Sequence, residues 1–252
     1  MRIMTWNIHG ASLRDRDERF PLIKKTIEEA QPDIACIQEA FFRKSRKMLE
    51  SIKGYYVSYQ TNWYPLPKLI ETTRGGLVTL TKEKPLEVNY HPYLAQGTWL
   101  TEQRWDRLLG KGFLETIIQD KEFGRVTIVN THKVCTYKKD DDIDDYIIAQ
   151  SKQLLGKIKE LKENGPFILA GDFNFRKKSL LYSQFRDLLH DATEDLHDAA
   201  EHLQNLHLYE EYRTIDYIFT GDKYHCTAEY LRDQSWQKYP SDHPGKLAEI
   251  KP

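Results

Sequence analysis

The sequence is poor in several features that would each define a class of protein. Its 252 residues include only three cysteines. An odd number without a Cys-x-x-Cys pair indicates neither a disulfide framework nor a zinc module. No hydrophobic run has the length of a membrane span, the first residues lack the apolar segment of a secretory signal, and no repeat of solenoid or propeller period is present. We therefore expect a soluble protein of a reducing compartment, the cytoplasm.

A surplus of charge of one sign is also absent. The 37 lysines and arginines face 38 aspartates and glutamates, which leaves a net charge of −1. Disorder driven by net charge needs a large imbalance, and indiscriminate coating of nucleic acid needs a clear excess of cations. The composition therefore argues against both, while local basic clusters at 43–47 and 176–178 keep a specific contact with nucleic acid open.

The sequence does contain an alternation of buried-looking strands with amphipathic helices. The clearest helix spans roughly Ile143 to Leu161, and short apolar runs at 34–37 and 167–170 predict strands buried on both faces. Such an alternation is typical of an α/β or α+β layered domain. No low-complexity stretch divides the chain, so we expect a single domain over 1–252, and a monomer. The other predicted elements are strands at 1–8, 76–81, 125–131 and 214–220, and helices at about 22–30 and 180–189.

Several of the apolar strands end abruptly in carboxylate, amide or imidazole side chains. A charge at the edge of an apolar run is costly unless it is paired or bound to a metal, and sheet proteins place ligand sites at strand ends. Oxygen donors without thiolates suit a hard cation such as Mg²⁺, Mn²⁺ or Ca²⁺, and such a cation beside two imidazoles fits phosphoester hydrolysis. The residues in these positions are Asn7, Glu39, His132, Asp172, Asn174, Asp216, Asp242 and His243.

The motifs around these residues occur in an order that resembles the endonuclease/exonuclease/phosphatase superfamily, the DNase I-like group. Each motif alone is weak, but six in the same order between residues 7 and 243 make a strong signal. The resemblance implies an α/β fold, a four-layered α/β sandwich of two packed mixed β-sheets flanked by helices, with the site at one end. The motifs are Trp6-Asn7-Ile8, Gln38-Glu39, Asn130-Thr131-His132, Gly171-Asp172-Phe173-Asn174, Ile215-Asp216-Tyr217 and Ser241-Asp242-His243.

The same resemblance implies a division of labour among the oxygen donors. Glu39 would be the principal ligand of a Mg²⁺ or Mn²⁺ ion, with Asn7 beside it and Asp242 joining. Asp172 would hold or deprotonate the attacking water, and Asn174 would orient that water and contact the phosphate.

Two imidazoles complete the implied catalytic set. His243, paired with Asp216, would act as general base or phosphate contact, and His132 would stabilise the charged phosphoryl group or protonate the leaving group. The sequence leaves open whether Asp172 or His243 takes the proton, and it shows no clear acidic partner for His132. We expect the other histidines to be ordinary surface or helix residues; His9, two positions beyond the asparagine of the first motif, is the least certain of them.

The resemblance narrows the substrate class to phosphoesters. The Asn-Thr-His motif separates the chain from the apurinic endonuclease branch, and Lys111-Gly112-Phe113 resembles the sphingomyelinase branch. We expect a phosphodiesterase that acts on nucleic acid or on a phospholipid headgroup, with Arg176, Trp99 and Trp105 as substrate-binding residues. The alternatives are a phosphomonoesterase for small molecules or inositol phosphates, and an inactive interaction module that retains the fold.

Overall fold

The computed structural model describes residues 1–12, 15–64, 70–97, 104–135, 144–196, 214–231 and 240–252, with the backbone alone at 63–64, 70 and 104–106. Strands and helices alternate along these ranges. The strands are β1 (Arg2–Asn7), β2 (Ile34–Gln38), β3 (Tyr56–Ser58), β4 (Thr61–Tyr64), β5 (Ile70–Thr73), β6 (Val78–Thr81), β7 (Glu87–Pro92), β8 (Gly112–Asp120), β9 (Gly124–His132), β10 (Phe167–Asp172), β11 (His190–Asp191), β12 (Asp216–Thr220), β13 (His225–Tyr230) and β14 (Lys246–Lys251). The helices are α1 (Arg16–Ala30), α2 (Arg43–Glu50), α3 (Arg104–Leu109), α4 (Asp145–Lys162) and α5 (Leu180–Arg186).

Two six-stranded sheets make up the body of the fold, and both mix parallel with antiparallel pairs. Sheet 1 has the strand order β13-β14-β1-β2-β6-β3, and sheet 2 has the order β11-β12-β10-β9-β8-β7. In sheet 1, β1 is parallel to β2 and antiparallel to β14. In sheet 2, β10 is parallel to β9 and antiparallel to β12. The pairing directions that the sequence left open are thus mixed in each sheet.

Alternating side chains of the strands pack into different cores, and this alternation builds the layers. Along β2, Ala35 and Ile37 pack with α1 and α2, whereas Ile34 and Cys36 pack between the two sheets. Sheet 2 follows the same pattern, with its outer face packed against α4 and α5. The order is therefore helices, sheet 1, sheet 2, helices, which confirms the predicted α/β sandwich of two mixed sheets flanked by helices.

The six predicted strands and three predicted helices all have counterparts in the structure. The long helix predicted at 143–161 is α4, which begins after Asp144; the carboxylate of Asp144 caps it by accepting from the backbone N–H of Tyr146 at 2.9 Å. The edge strands β7 and β13 were missed, because both alternate exposed and half-buried residues without an apolar run.

None of the described helices combines the length and apolarity that crossing a bilayer requires.

Candidate active site

Sheet 2 brings three of the predicted site residues to one level. The parallel pairing of β9 with β10 places His132 opposite Asp172, and the antiparallel pairing of β12 places Asp216 opposite Asp172. His132 is 2% exposed, and the two carboxylates are each 1% exposed. Two acids and one imidazole therefore lie side by side on adjacent strands, shielded from water.

The close approach of β10 to β9 depends on a glycine just before Asp172. Gly171 has a φ of +147°, which L side chains rarely adopt. A Cβ atom there would also overlap the carbonyl oxygen of Thr131. The Gly-Asp sequence thus lets β10 lie against β9 where His132 and Asp172 meet.

His243 joins this group from the last described loop. Its Nδ1 lies 2.9 Å from Asp216 Oδ2, and its Nε2 lies 3.9 Å from Asp172 Oδ2. Ligand atoms of these three residues all lie within 4.8 Å of one another. The expected pairing of His243 with Asp216 is therefore present in the geometry.

Hydrogen bonds to β1 hold the loop that carries His243. Ser241 Oγ donates to the Asn7 carbonyl oxygen at 2.6 Å, and the indole Nε1 of Trp6 donates to the His243 carbonyl oxygen at 2.9 Å. These bonds join the last motif of the sequence to the first.

Sheet 1 contributes the amide of Asn7 and the carboxylate of Glu39. Asn7 Nδ2 donates to Glu39 Oε1 at 3.2 Å and to Asp172 Oδ2 at 3.1 Å. Asn7 ends β1 of sheet 1 and Asp172 ends β10 of sheet 2, so one amide links the two sheets at the site. Glu39, half-buried, follows β2 with a φ of +61°.

A second pair of amides fixes the spacing of the sheets one residue deeper. Gln38 Nε2 donates to Asn130 Oδ1 at 2.8 Å, and Asn130 Nδ2 donates to the carbonyl oxygens of Ile37 at 3.1 Å and Val78 at 3.0 Å. Both side chains are fully buried. Because Gln38 precedes Glu39 and Asn130 lies two residues before the site histidine, these bonds set the distance between the two halves of the site.

A buried lysine lies beside His132. Lys111 Nζ is 2.8 Å from His132 Nε2 and 3.1 Å from Nδ1, and the lysine is 3% exposed. Gln96 holds its backbone: Oε1 accepts from the Lys111 N–H at 2.8 Å, and Nε2 donates to the Lys111 carbonyl oxygen at 2.6 Å. The carboxylate nearest to His132 is Asp172, whose Oδ2 is 3.4 Å from Nε2, which answers the question of an acidic partner that the sequence left open.

Asp242 is turned toward His9. Its Oδ2 lies 2.6 Å from His9 Nδ1, with the side chains 52% and 38% exposed respectively. The hydrogen bond that His9 donates to Asp242 raises the pKa of His9. His9 is therefore part of the site rim and not the ordinary surface residue that we expected.

Asn174 turns back toward Asp172 through its backbone. Its N–H donates to Asp172 Oδ1 at 3.0 Å, and its side-chain Nδ2 donates to the Lys133 carbonyl oxygen at 3.0 Å. Asn174 has a φ of +54°, a conformation that asparagine tolerates better than most residues. The short Asp-Phe-Asn turn thereby holds the carboxylate of Asp172 in place.

The protonation properties of the three central groups differ sharply. Burial and the nearby charge of Asp216 raise the pKa of Asp172 to about 7. Burial alone would lower the pKa of His243, but the charges of Asp216 and Asp172 outweigh it and raise that pKa to about 10. Burial, Lys111 and His243 together hold the pKa of His132 well below its usual value.

The donor set fits a hard divalent cation. Glu39 and Asp172 direct carboxylate oxygens at the same Asn7 nitrogen, and Asp216 lies directly across from Asp172. Burial and the charge of Asp216 both raise the pKa of Asp172, and a bound cation would stabilise the charged form of this carboxylate. The oxygen donors and the lack of a thiolate among these groups suit a hard divalent cation.

Seven of the eight strand-end residues are thus linked by described contacts, and Asp242 is linked to them through its neighbours in the last loop. The three predicted substrate contacts remain predictions: Arg176 is half-buried two residues beyond Asn174, while Trp99 and the side chain of Trp105 lie outside the described residues.

Sequence reasoning missed the place of Lys111 in the site. The only sign of Lys111 in the sequence was the Lys-Gly pair before a strand. We had taken that pair only as a likeness to the sphingomyelinase branch.

The fold and site together define a class: an α/β sandwich with carboxylates, amides and imidazoles gathered at its strand ends. The chain belongs to the endonuclease/exonuclease/phosphatase family, whose model matches residues 4–243. This confirms the resemblance drawn from the motifs.

Individual relatives agree with this assignment. Protein angel homolog 2 of Danio rerio is 27% identical over 184 residues, which are 69% of this chain and 30% of that protein. The chain therefore spans less than a third of that relative's length.

Solved structures share the fold at low identity. Truncated Caenorhabditis elegans TDP2 superposes with a TM-score of 0.73 and 16% identity, covering 99% of this chain and 96% of that one. The human Nocturnin catalytic domain with bound sulfate anion gives a TM-score of 0.68 and 20% identity, covering 100% and 94%. Likeness at this level shows the fold.

Proposed function

We propose that the chain is a divalent-metal-dependent phosphoester hydrolase, and specifically a phosphodiesterase in which water attacks phosphorus. The observation that carries the proposal is the convergence of Asp172, Asp216, His132, His243 and Lys111 at the strand ends. Burying so many ionisable groups together is unfavourable for stability compared with apolar packing. Clusters with such perturbed pKa values occur at functional sites.

Asp172 is the group best suited to take a proton from water. A general base works best when its pKa is close to the working pH, and the pKa of Asp172 is raised to about 7. His243, with a pKa raised to about 10, keeps its proton at neutral pH. Of the two bases that the sequence left open, this difference favours Asp172.

Positive and neutral donors around Asp172 suit a phosphoryl group that gains charge. The His243 imidazolium and the Lys111 ammonium offer charged hydrogen-bond donors to phosphoryl oxygens, an arrangement that stabilises transition states in buried sites. His132, with its pKa well below the usual value, is neutral and can contact the phosphoryl or leaving oxygen through one ring nitrogen.

Glu39, Asn7 and Asp242 would hold Mg²⁺ or Mn²⁺. The ion would neutralise phosphoryl oxygens and help to position the substrate. Asn7 donates to both the Glu39 and the Asp172 carboxylates, so Glu39 lies beside the group that takes the proton.

A substrate panel tests the proposal. Bis-p-nitrophenyl phosphate, p-nitrophenyl phosphate, plasmid DNA, RNA, sphingomyelin and inositol phosphates would be offered with Mg²⁺, with Mn²⁺ and with EDTA. We expect diesters to be cleaved, EDTA to abolish turnover, and either metal to restore it. Asp172→Asn should remove hydrolysis without unfolding the protein.

Asp191→Asn is the matched control, because Asp191 is a carboxylate of equal burial held by Tyr182 and Thr193 away from the site. It should keep its activity. Preference for the monoester would support a phosphomonoesterase instead, and no turnover of any substrate would support an inactive module. Hydrolysis in the presence of EDTA, or full activity in Asp172→Asn, would contradict the site assignment.

A further inference from the structure

We propose that Arg19 is a positioning residue that holds the segment after Asn7 against the loop that carries Asp242, and so positions two of the three expected cation ligands. The inference rests on the proposed function for the identity of the ligand. It concerns a residue on α1 that belongs to none of the sequence motifs.

The guanidinium of Arg19 donates to both loops at once. Nη1 donates to the carbonyl oxygens of Ile8 at 3.1 Å and Pro240 at 3.0 Å, and Nη2 donates to the carbonyl oxygen of His9 at 3.1 Å. Ile8 and His9 follow Asn7 directly, and Pro240 directly precedes Ser241 and the Asp242-His243 pair. One side chain therefore spans the junction between the first and last motifs.

Two other hydrogen bonds join the same segments. Ser241 Oγ donates to the Asn7 carbonyl oxygen and the Trp6 indole donates to the His243 carbonyl oxygen. Beyond the loop, β14 pairs with β1, where Lys246 lies opposite Thr5. Removing Arg19 would take away the three hydrogen bonds that join Ile8, His9 and Pro240 through one side chain.

Burying a charged arginine side chain only for packing would be unfavourable for stability. Arg19 is 8% exposed, and its guanidinium donates to three backbone carbonyl oxygens. Burial lowers its pKa, and the charges of Asp242, Asp15 and Glu39 partly oppose that shift. Two of those three carboxylates are the expected cation ligands, so Arg19 lies within electrostatic reach of the site that it braces.

The three hydrogen bonds of Arg19 depend on the planar shape of its guanidinium group. A guanidinium presents several N–H groups in fixed directions, whereas a lysine ammonium on a flexible stem cannot hold the same carbonyl oxygens together. Residues that orient metal ligands without touching the metal contribute about 10- to 100-fold to metal affinity. Arg19→Met should lose this contribution, and Arg19→Lys should lose part of it.

The test uses two readouts on the full chain. The first is the affinity for Mn²⁺ or Mg²⁺, measured by isothermal titration calorimetry, which we expect to weaken about 10- to 100-fold in Arg19→Met. The weaker binding should also appear as hydrolysis that recovers at high metal concentration. The second is hydrogen exchange of the Trp6 indole N–H in the metal-free protein, which should accelerate once the His243 loop is released.

Arg46→Met is the matched control. Arg46 is also a buried arginine, on α2, and contacts Glu71, Thr73 and Tyr59 away from both loops. It should lower stability without changing metal affinity or the exchange of the Trp6 indole. If Arg19→Met does not fold, the same two measurements are made on Arg19→Lys.

The outcomes separate this inference from the function it rests on. Wild-type metal affinity and indole exchange in the Arg19 variants would overturn the role of Arg19, as would a loss of activity that no amount of metal restores. A wild-type protein that binds neither metal would contradict the proposed function, and the indole exchange would still decide whether Arg19 holds the loops.

Discussion

His132 and His243 both lie next to Asp172, with Nε2 atoms 3.4 Å and 3.9 Å from the same carboxylate oxygen. Their second neighbours differ. His243 has Asp216 at 2.9 Å from its other ring nitrogen, whereas His132 has the Lys111 ammonium within 2.8 Å. The carboxylate stabilises an imidazolium and the ammonium disfavours one.

The comparison shows that sharing a carboxylate neighbour does not give the two rings the same charge. Burial lowers the pKa of both rings. The pKa of His243 nevertheless rises to about 10, whereas that of His132 falls well below its usual value. Asp216 beside His243, and burial together with Lys111 beside His132, thus give the same site one charged ring and one neutral ring. Pairs of titratable groups whose pKa values are driven apart in this way are typical of acid–base catalysts.

The largest expected effect is the loss of the charged ring. His243→Gln should lower kcat for bis-p-nitrophenyl phosphate by about 10²- to 10³-fold, the usual cost of removing one donor to a developing oxyanion. Asp216→Asn should cost nearly as much, because it removes the largest of the charges that keep His243 protonated. The double variant should be little worse than either single one.

His225→Gln is the control for this series, since His225 is exposed on β13. Its activity should equal that of the wild type. Additive losses in His243→Gln and Asp216→Asn would mean that the two residues act separately, contrary to the pairing.

Loss of the neutral ring should have a smaller effect. His132→Gln keeps a hydrogen-bonding group near Asp172 and the Lys111 ammonium, so we expect kcat to fall by about 10²-fold, as for the loss of one donor to a developing oxyanion. Steady-state kinetics on the same diester measures it. A larger loss than in His243→Gln would reverse the proposed division of roles.

The two rings should also affect stability differently as the pH changes. The pKa of folded His243 lies above its unfolded value of about 6.5, so its contribution is fully present below about pH 6.5 and is lost as the pH rises through about 10. The stability difference between wild type and His243→Gln, measured by urea unfolding in the metal-free protein, should therefore shrink as the pH rises across this window. A difference that grows with pH would contradict the raised pKa.

The smallest expected effect is a change in one pKa. Lys111→Met removes the positive charge beside His132 and should raise the pKa of that ring, since one of the causes that lower it is gone. An NMR titration of the ring protons detects the change. The pKa of His243 should move less, and an unchanged pKa for His132 would mean that burial alone keeps this ring neutral.

Much of this site could be predicted from the sequence because its residues stand at the ends of apolar runs. An apolar run that stops at Asp172 or His132 marks both a buried strand and the point where its chemistry begins. Parallel pairing then brings such ends together, as the register of His132 with Asp172 shows. The strands β1, β2, β6, β9, β10 and β12 were predicted for the same reason, whereas the inner strands β8 and β14 were not predicted.

The sequence could not reveal contacts made by residues that no apolar run marks. Lys111 and His9 stand in loops, and their partners His132 and Asp242 are distant in the chain, so only the folded structure shows the contacts. The edge strands β7 and β13 escaped prediction because polar residues alternate along them and no buried face is continuous. Neighbours in space decided the charge states of the two histidines, and sequence spacing carries no information about them.

The most direct test of this account is the state of the two rings in one spectrum. Nitrogen-15 NMR of the histidine side chains in the metal-free protein at neutral pH, assigned with His132→Gln and His243→Gln, reports whether each ring carries one proton or two. We predict two ring protons on His243 and one on His132. Two neutral rings, two charged rings, or the reverse assignment would contradict the account.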